Sequence, residues 1–262
     1  MKEYSIVFIG TSSGKTSLKR FHSSLLFKSP SFNLLVDCGD GTSRALLSQN
    51  ICSDQIDGIL FSHLHPDHSA GFPSLVVQMK QKKRKKKLKI YCHRNLTETL
   101  SKLLHQTFVF TERATFQLEY IEFEHNEKIE LDEGFSFTSR QNSHLDKYRK
   151  YLGEGATGFS SSSFLMKLNA KSIYYSGDII SADDLYLFEN QKPGIVITEA
   201  AHVELSAILE LIEKTEPEKV YLTHLSEELE IELIKRIEIL PTVSREKIIL
   251  AHDGFSIKIG ES

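Results

Sequence analysis

The sequence predicts an α/β fold, a single domain over residues 1–262 with β-sheet packed inside and helices outside. Three observations lead there. The first half is rich in short apolar strand-like runs, the last third alternates helical and strand-like segments, and no Pro/Gly/Ser-rich linker, repeat or low-complexity stretch divides the 262 residues. A chain of that length can bury a full core. With 40% hydrophobic and 26% charged residues it has a globular composition that excludes a disordered class.

Taken in order, Tyr4–Ile9, Ser24–Lys28 and Asn33–Asp37 are short, rich in β-formers and bounded by Gly, Pro or Asp, which predicts strands. Thr42–Gln49 follows the Asp40/Gly41 turn and reads as a helix. Asp57–Ser62 is a near-continuous apolar strand that runs straight into a histidine cluster. Helices are expected over Ala70–Gln81 and Arg94–Gln106, with a strand at Leu88–Cys92 between them. Further strands are expected around Phe116–Phe123, Phe135–Arg140, Phe159–Leu168 and Ser172–Ser176. In the last third, Leu185–Glu189, Leu205–Lys214 and Glu228–Leu240 read as helices. The second of these gathers Leu205, Ile208, Leu209, Leu211 and Ile212 on one broad face. Gly194–Thr198, Lys219–Thr223, Lys247–Leu250 and Ser256–Ile259 are apolar strands.

No apolar run approaches the roughly 18–20 residues that cross a bilayer, and the opening MKEYSIVFIG lacks a secretory pattern. Three cysteines, Cys38, Cys52 and Cys92, form no CxxC pair, so reduced thiols and a cytoplasmic location are expected. The charge is uneven. Eight Lys/Arg fall between Lys80 and Lys89, and removing them from a net charge of −3 leaves −11. Such a run repels itself and is expected as a solvated loop. The sharper alternative is a hand for phosphate or nucleic acid, RNA included, driven by counterion release. If the chain is an oligomer, a homodimer is the expectation.

The chemistry concentrates at His63-Leu-His65-Pro66-Asp67-His68, four metal-ligand residues within six. In extended chain, residues two apart point the same way, so His63 and His65 can grip one ion. Pro66 fixes its φ and turns the chain, redirecting Asp67 and His68 toward a second ion. Two ions about 3.5–4 Å apart can share a hydroxide and clamp the attacking and leaving oxygens of a displacement.

HxHxDH after an apolar strand resembles the signature of metallo-β-lactamase-fold hydrolases, which implies a four-layer αββα sandwich. The resemblance implies a third ligand of the first metal at His144, in QNSHLDK. It also implies a bridging carboxylate at Asp178, after SIYYSG, and a last ligand of the second metal at His224, after KVYLT. FIGTSSGK, SSLLF, LLVDCGDGT and IDGILFSHLHPDH, with the later SGD, EAAH and LTHLS, look like the RNase Z-like branch. That likeness implies that His202 protonates the leaving oxygen. Glu199, three residues before it, is expected to orient it, and Asp67 is expected to orient the hydroxide as well as bind metal. Two divalent ions are implied, zinc by prior, with manganese and iron left open by the ligand types.

The expected activity is therefore hydrolysis of a small or nucleotide-type phosphodiester. Transfer-RNA 3′-processing of the RNase Z kind is the alternative. It is disfavoured because that pattern carries a long glycine-rich arm where only 33 residues separate His144 from Asp178 here, and because acidic LSEELE follows His224. Lactone or ester hydrolysis and a non-catalytic metal-stabilised binding protein are the remaining readings. GTSSGKT imitates a phosphate-binding P-loop but has three residues between its glycines where four are needed. His252 and Asp253 are expected in a turn before the last strand, and His22, His93, His105 and His125 as surface or packing residues.

Overall fold

A computed structural model describes residues 4–153 and 158–260. Its strands and helices, in chain order, are β1 (Tyr4–Gly10), β2 (Ser24–Lys28), β3 (Asn33–Val36), α1 (Thr42–Ser48), β4 (Gly58–Leu60), α2 (Pro66–Ser69), α3 (Phe72–Gln81), β5 (Leu88–His93) and α4 (Arg94–Gln106). There follow β6 (Leu118–Phe123), β7 (Lys128–Asp132), β8 (Phe135–Gln141), β9 (Ser162–Leu168), β10 (Lys171–Tyr175), β11 (Ile195–Glu199), α5 (Leu205–Thr215), β12 (Lys219–Thr223), α6 (Glu227–Glu238), α7 (Thr242–Lys247), β13 (Ile248–Leu250) and β14 (Ser256–Ile259).

Two seven-stranded sheets result, ordered β14-β1-β2-β3-β4-β5-β6 and β13-β12-β11-β10-β9-β8-β7. Central strands are apolar throughout because both of their faces are buried. Along β2, Leu25 and Phe27 face the other sheet while Leu26 faces helices; on β10, Ile173 and Tyr175 face inward while Tyr174 faces outward. The inner core is rich in aromatics, with Phe8, Phe27, Phe135, Phe137 and Phe164 all buried between the sheets. Helices α1, α3 and α4 cover the first sheet through Leu46, Leu75, Met79 and Leu100. The second sheet is covered by α5 and α6 through Ile208, Leu211 and Leu233. The layer order is αββα.

Several elements differ from expectation for physical reasons. The helix expected over residues 70–81 is two pieces, and its first turn starts at Pro66, so Asp67 and His68 are helical. Its break coincides with a close approach of two backbone segments: a Cβ on Gly71 would lie 2.1 Å from the Gly39 carbonyl oxygen. β7 was not expected. Three of the five residues of its sequence KIELD are charged, which suits the edge of a sheet, where it lies. The helix expected at Leu185–Glu189 is two short 3-10 turns, Ala182–Tyr186 and Glu189–Gln191.

The basic run is also not a solvated loop throughout. Arg84 is 2% exposed and donates to the carbonyls of Ser53, Asp54, Ile56, Lys86 and Lys87. A planar five-donor guanidinium can satisfy converging carbonyls as an ammonium cannot. Lys86 pairs with Asp57 and Lys87 with Glu119. These partners sit before the N-terminal end of β4 or on β6, whereas the histidine cluster follows the C-terminal end of β4.

Candidate metal centre

The parallel pairings β3–β4, β10–β11 and β11–β12 bring several strand ends to one edge of the sandwich. β8 runs the same way as β10, since both are antiparallel to β9. Asp37 thus follows β3, the HLHPDH segment β4, His144 β8, Asp178 β10, His202 β11 and His224 β12. Residues distant in sequence meet because loops at the carboxyl ends of such strands converge. Gly177 adopts φ +58°, and a Cβ there would lie 3.1 Å from the Ser162 carbonyl oxygen, so the turn into Asp178 favours glycine. Asp37 and His224 hold φ of 61° and 60° without that freedom, and such strain collects at functional sites.

The side chains form two adjoining groups. His63, His65, His144 and Asp178 place one ligand atom each within 4.8 Å of one another, and so do Asp67, His68, Asp178 and His224. Asp178 belongs to both. Its Oδ1 is 3.1 Å from His68 Nε2, and its Oδ2 is 3.7 Å from His144 Nε2 and 3.3 Å from His224 Nε2. In the first group His65 Nδ1 lies 3.0 Å from His144 Nε2, and in the second His224 Nε2 lies 3.0 Å from Asp67 Oδ2. The residues suit divalent cations. His63 Nε2 is buried with no hydrogen-bond partner, and each group combines imidazoles with a carboxylate.

Electrostatics agree with that fit in the first group. Burial first, then neighbouring His68, holds His63 well below the usual histidine range, and burial lowers His144 to about 3. Both are therefore neutral, the form that coordinates metal. In the second group, burial is outweighed by Asp178 with Asp37 for His68 and by Asp178 with Asp67 for His224. Both rings are raised toward the protonated form, so a cation there must displace a proton. For Asp178 burial opposes ionisation, but His224 and His68 outweigh it and keep the carboxyl well below its ordinary value. Such a carboxylate can face two cations at once.

His202 stands beside these groups. Its Nδ1 is 2.9 Å from Glu199 Oε2, and Glu199 also accepts the backbone N–H of Ile179, Ala201 and His202. The Glu199 hydrogen bond, opposed by burial, raises the pKa of His202 and favours its protonated form. His65, Asp67, His144, Asp178, His202 and His224 all line one cavity of about 310 Å³.

Sequence reasoning missed several participants. Asp37 is fully buried and accepts from Ser62 N, Ser62 Oγ, His68 Nδ1 and Tyr175 OH. It orients His68 so that Nε2 faces Asp178. Its signal was a lone aspartate closing an apolar strand. Lys15, Lys147 and Tyr148 also line the cavity. The acidic start of α6 does not face a substrate unpaired, because Glu227, Glu228 and Glu230 hold Lys19, Lys15 and Arg20 of the loop after β1. That loop carries GTSSGKT, and its Gly14 approaches Asp67. His252 is exposed, bonds to the Asp253 carbonyl and belongs to neither group. His93 caps α4 and pairs with Glu124.

Known proteins show the same frame. Residues 37% identical over a 121-residue stretch match a Ribonuclease Z of Prochlorococcus marinus, covering 45% of this chain and 38% of that relative. The chain thus matches well under half the length of its curated relatives. Among solved structures, the metallo-β-lactamase-fold protein YhfI from Bacillus subtilis superposes with a TM-score of 0.75 at 19% identity, over 98% of this chain and 100% of that one. The short form of human tRNase Z gives a TM-score of 0.72 at 18% identity, over 98% and 100%. A family model described as Anti-Pycsar protein Apyc1 matches residues 4–252. The chain has the metallo-β-lactamase fold, is RNase Z-like in its histidine motifs, and belongs to the Anti-Pycsar protein Apyc1 family.

Proposed function

We propose that this protein is a two-metal-dependent phosphodiesterase acting on a small or nucleotide-type diester, such as a cyclic nucleotide. One observation carries the reading: two ligand groups share Asp178, and His202 lines the same cavity. His63, His65 and His144 would hold one ion, Asp67, His68 and His224 the other, and Asp178 would bridge them. When bound, the ions supply Lewis-acid activation of water and neutralise charge on the diester. Zinc is the first expectation, with manganese and iron compatible with the same ligands.

The chain's own groups do the rest. Asp67 orients the nucleophile, and Glu199 holds the His202 ring by Nδ1. His202 Nε2 is then free to give a proton to the departing alkoxide, the step that separates a diester from an activated lactone. A lactone or ester hydrolase has less need of that acid, and a metal-stabilised binding protein has none. Metal-loaded protein is expected to cleave a generic aryl phosphodiester. His63→Ala is expected to abolish turnover, and His202→Ala to lower it about 10²–10⁴-fold. Two ions bound without turnover would sink the enzymatic reading.

A second reading, tRNA 3′-processing, draws support from the Ribonuclease Z match. Against it, the residues between His144 and Asp178 include all of β9 and β10, where that branch carries its arm. The run at Lys80–Lys89, the other candidate for holding RNA, spends Arg84 on backbone carbonyls and lies toward the opposite end of β4. Replacing its exposed lysines by serine is expected to leave small-diester cleavage unchanged, and a loss confined to RNA substrates would favour the nuclease.

A further inference from the structure

One wall of the cavity differs in chemistry from the rest. Immediately after His144 the chain makes a 3-10 turn, Asp146–Tyr151, whose sequence DKYRKY interleaves three cations with two tyrosines. Most of these side chains are committed elsewhere. Arg149 pairs with Asp146 at 2.8 Å and lies 5.1 Å from the Phe159 ring centre, and Lys150 sits over Tyr151. Neither lines the cavity, whereas Lys147 and Tyr148 do.

Tyr148 stays 36% exposed although its ring meets His65 edge to face at 5.6 Å. The Lys147 ammonium lies 5.1 Å from the Tyr148 ring centre, and among the described residues no carboxylate pairs with it. Lys15 also lines the cavity but already holds Glu228 at 2.5 Å, and His202 is held by Glu199. The cavity therefore presents one uncommitted cation and one partly bare aromatic ring side by side, next to a candidate metal ligand. A volume of about 310 Å³ is near the lower limit of small-ligand pockets, roughly 300–1,000 Å³, and suits one nucleotide.

Resting on the phosphodiesterase reading, we propose that Lys147 and Tyr148 form the platform that recognises a nucleotide substrate. Tyr148 stacks on the planar base, and Lys147 counters the phosphate charge. Base–aromatic stacking tolerates any base, because every base has a π-face, so this pair selects nucleotides over base-free diesters without choosing among bases.

The test uses the full chain loaded with zinc or manganese. Binding of thymidine 5′-monophosphate and of ribose 5-phosphate is measured by calorimetry for wild type, Tyr148→Ala, Tyr148→Phe and Lys147→Ala, with metal content determined for each. Tyr148→Ala is expected to weaken the nucleotide about 5- to 150-fold and the sugar phosphate by less than about threefold, while Tyr148→Phe binds as wild type. Lys147→Ala is expected to weaken both ligands. Kinetics on thymidine 5′-(4-nitrophenyl phosphate) should show the Tyr148→Ala loss in KM, with kcat retained.

Equal loss on both ligands with reduced metal content would make Tyr148 a prop for His65, and no loss on either would leave the ring idle; both overturn the proposal. Failure of the phosphodiesterase reading has a separate signature, namely metal-loaded wild type that cleaves neither the nucleotide diester nor methyl 4-nitrophenyl phosphate.

Discussion

Replacing Asp37 with asparagine isolates the role of a residue that touches no ligand cavity. Oδ2 accepts from Ser62 Oγ at 2.8 Å, His68 Nδ1 at 2.9 Å and Tyr175 OH at 3.0 Å, while Oδ1 takes the Ser62 N–H at 2.8 Å. If the asparagine amide nitrogen takes the Oδ2 position, the two hydroxyls can rotate and accept from it. The His68 N–H cannot. Its ring must either lose its partner or switch tautomer, and the switch places a proton on Nε2, the atom that faces Asp178. In the reverse orientation the amide nitrogen meets the Ser62 N–H, donor against donor. The first orientation costs about one charge-assisted hydrogen bond, roughly 1.5–3 kcal/mol. That corresponds to about a 10- to 150-fold loss in affinity for the ion held by His68. The assay is metal titration against a chelating indicator, with wild type titrated under the same conditions as the reference. A folded Asp37→Asn protein that binds two ions with wild-type affinity would refute the reasoning.

Other expectations follow from the same geometry. The raised pKa of His202 keeps the general acid protonated to higher pH. Activity should therefore be retained below that pKa and fall as pH rises through it, and Glu199→Gln should move this alkaline limb to lower pH in a kcat/KM profile. Arg84→Ala strips five carbonyls of their partner and should destabilise the fold by about 2–4 kcal/mol in urea unfolding. Serine at Lys82, Lys83 and Lys85, all exposed, should leave stability within about 0.5 kcal/mol of wild type. Arg20→Ala removes the pair with Glu230 and the bond to Thr11. It should free the loop bearing Gly14 and Lys15 and raise KM more than it lowers kcat.

Sheet inside and helices outside was legible because short apolar strands give way to alternating helices and strands with no linker. The four-layer αββα order was implied by the resemblance of the histidine motif. Which face each strand turns inward was not legible, because β2, β3 and β10 are apolar on both faces. The candidate ligands were legible because most sit just after apolar strands, where a histidine or aspartate has no packing reason to recur. What escaped was chemistry expressed through geometry alone. Asp37 looks like an ordinary strand end until the fold places Ser62, His68 and Tyr175 around it. Arg84 looked like one more cation in a lysine run, although a single guanidinium among seven ammonium groups was itself a signal for carbonyl capture. β7 and α7 escaped for opposite reasons: KIELD has the charge of an exposed edge, and TVSREK is a short polar helix behind Pro241. The DKYRKY turn carried a readable basic-aromatic pattern, yet only the structure separates Lys147 and Tyr148, which line the cavity, from their neighbours, which do not.

The central claim is that diester hydrolysis depends on two ions sharing Asp178. Metal-free protein should be titrated with zinc or manganese while bound metal and the cleavage of a small nucleotide diester are followed together. No cleavage is expected without metal, with a maximum at two ions per chain and loss of both the second ion and turnover in Asp178→Ala. Full occupancy by two ions with no cleavage of any diester, or turnover that survives in Asp178→Ala, would contradict it.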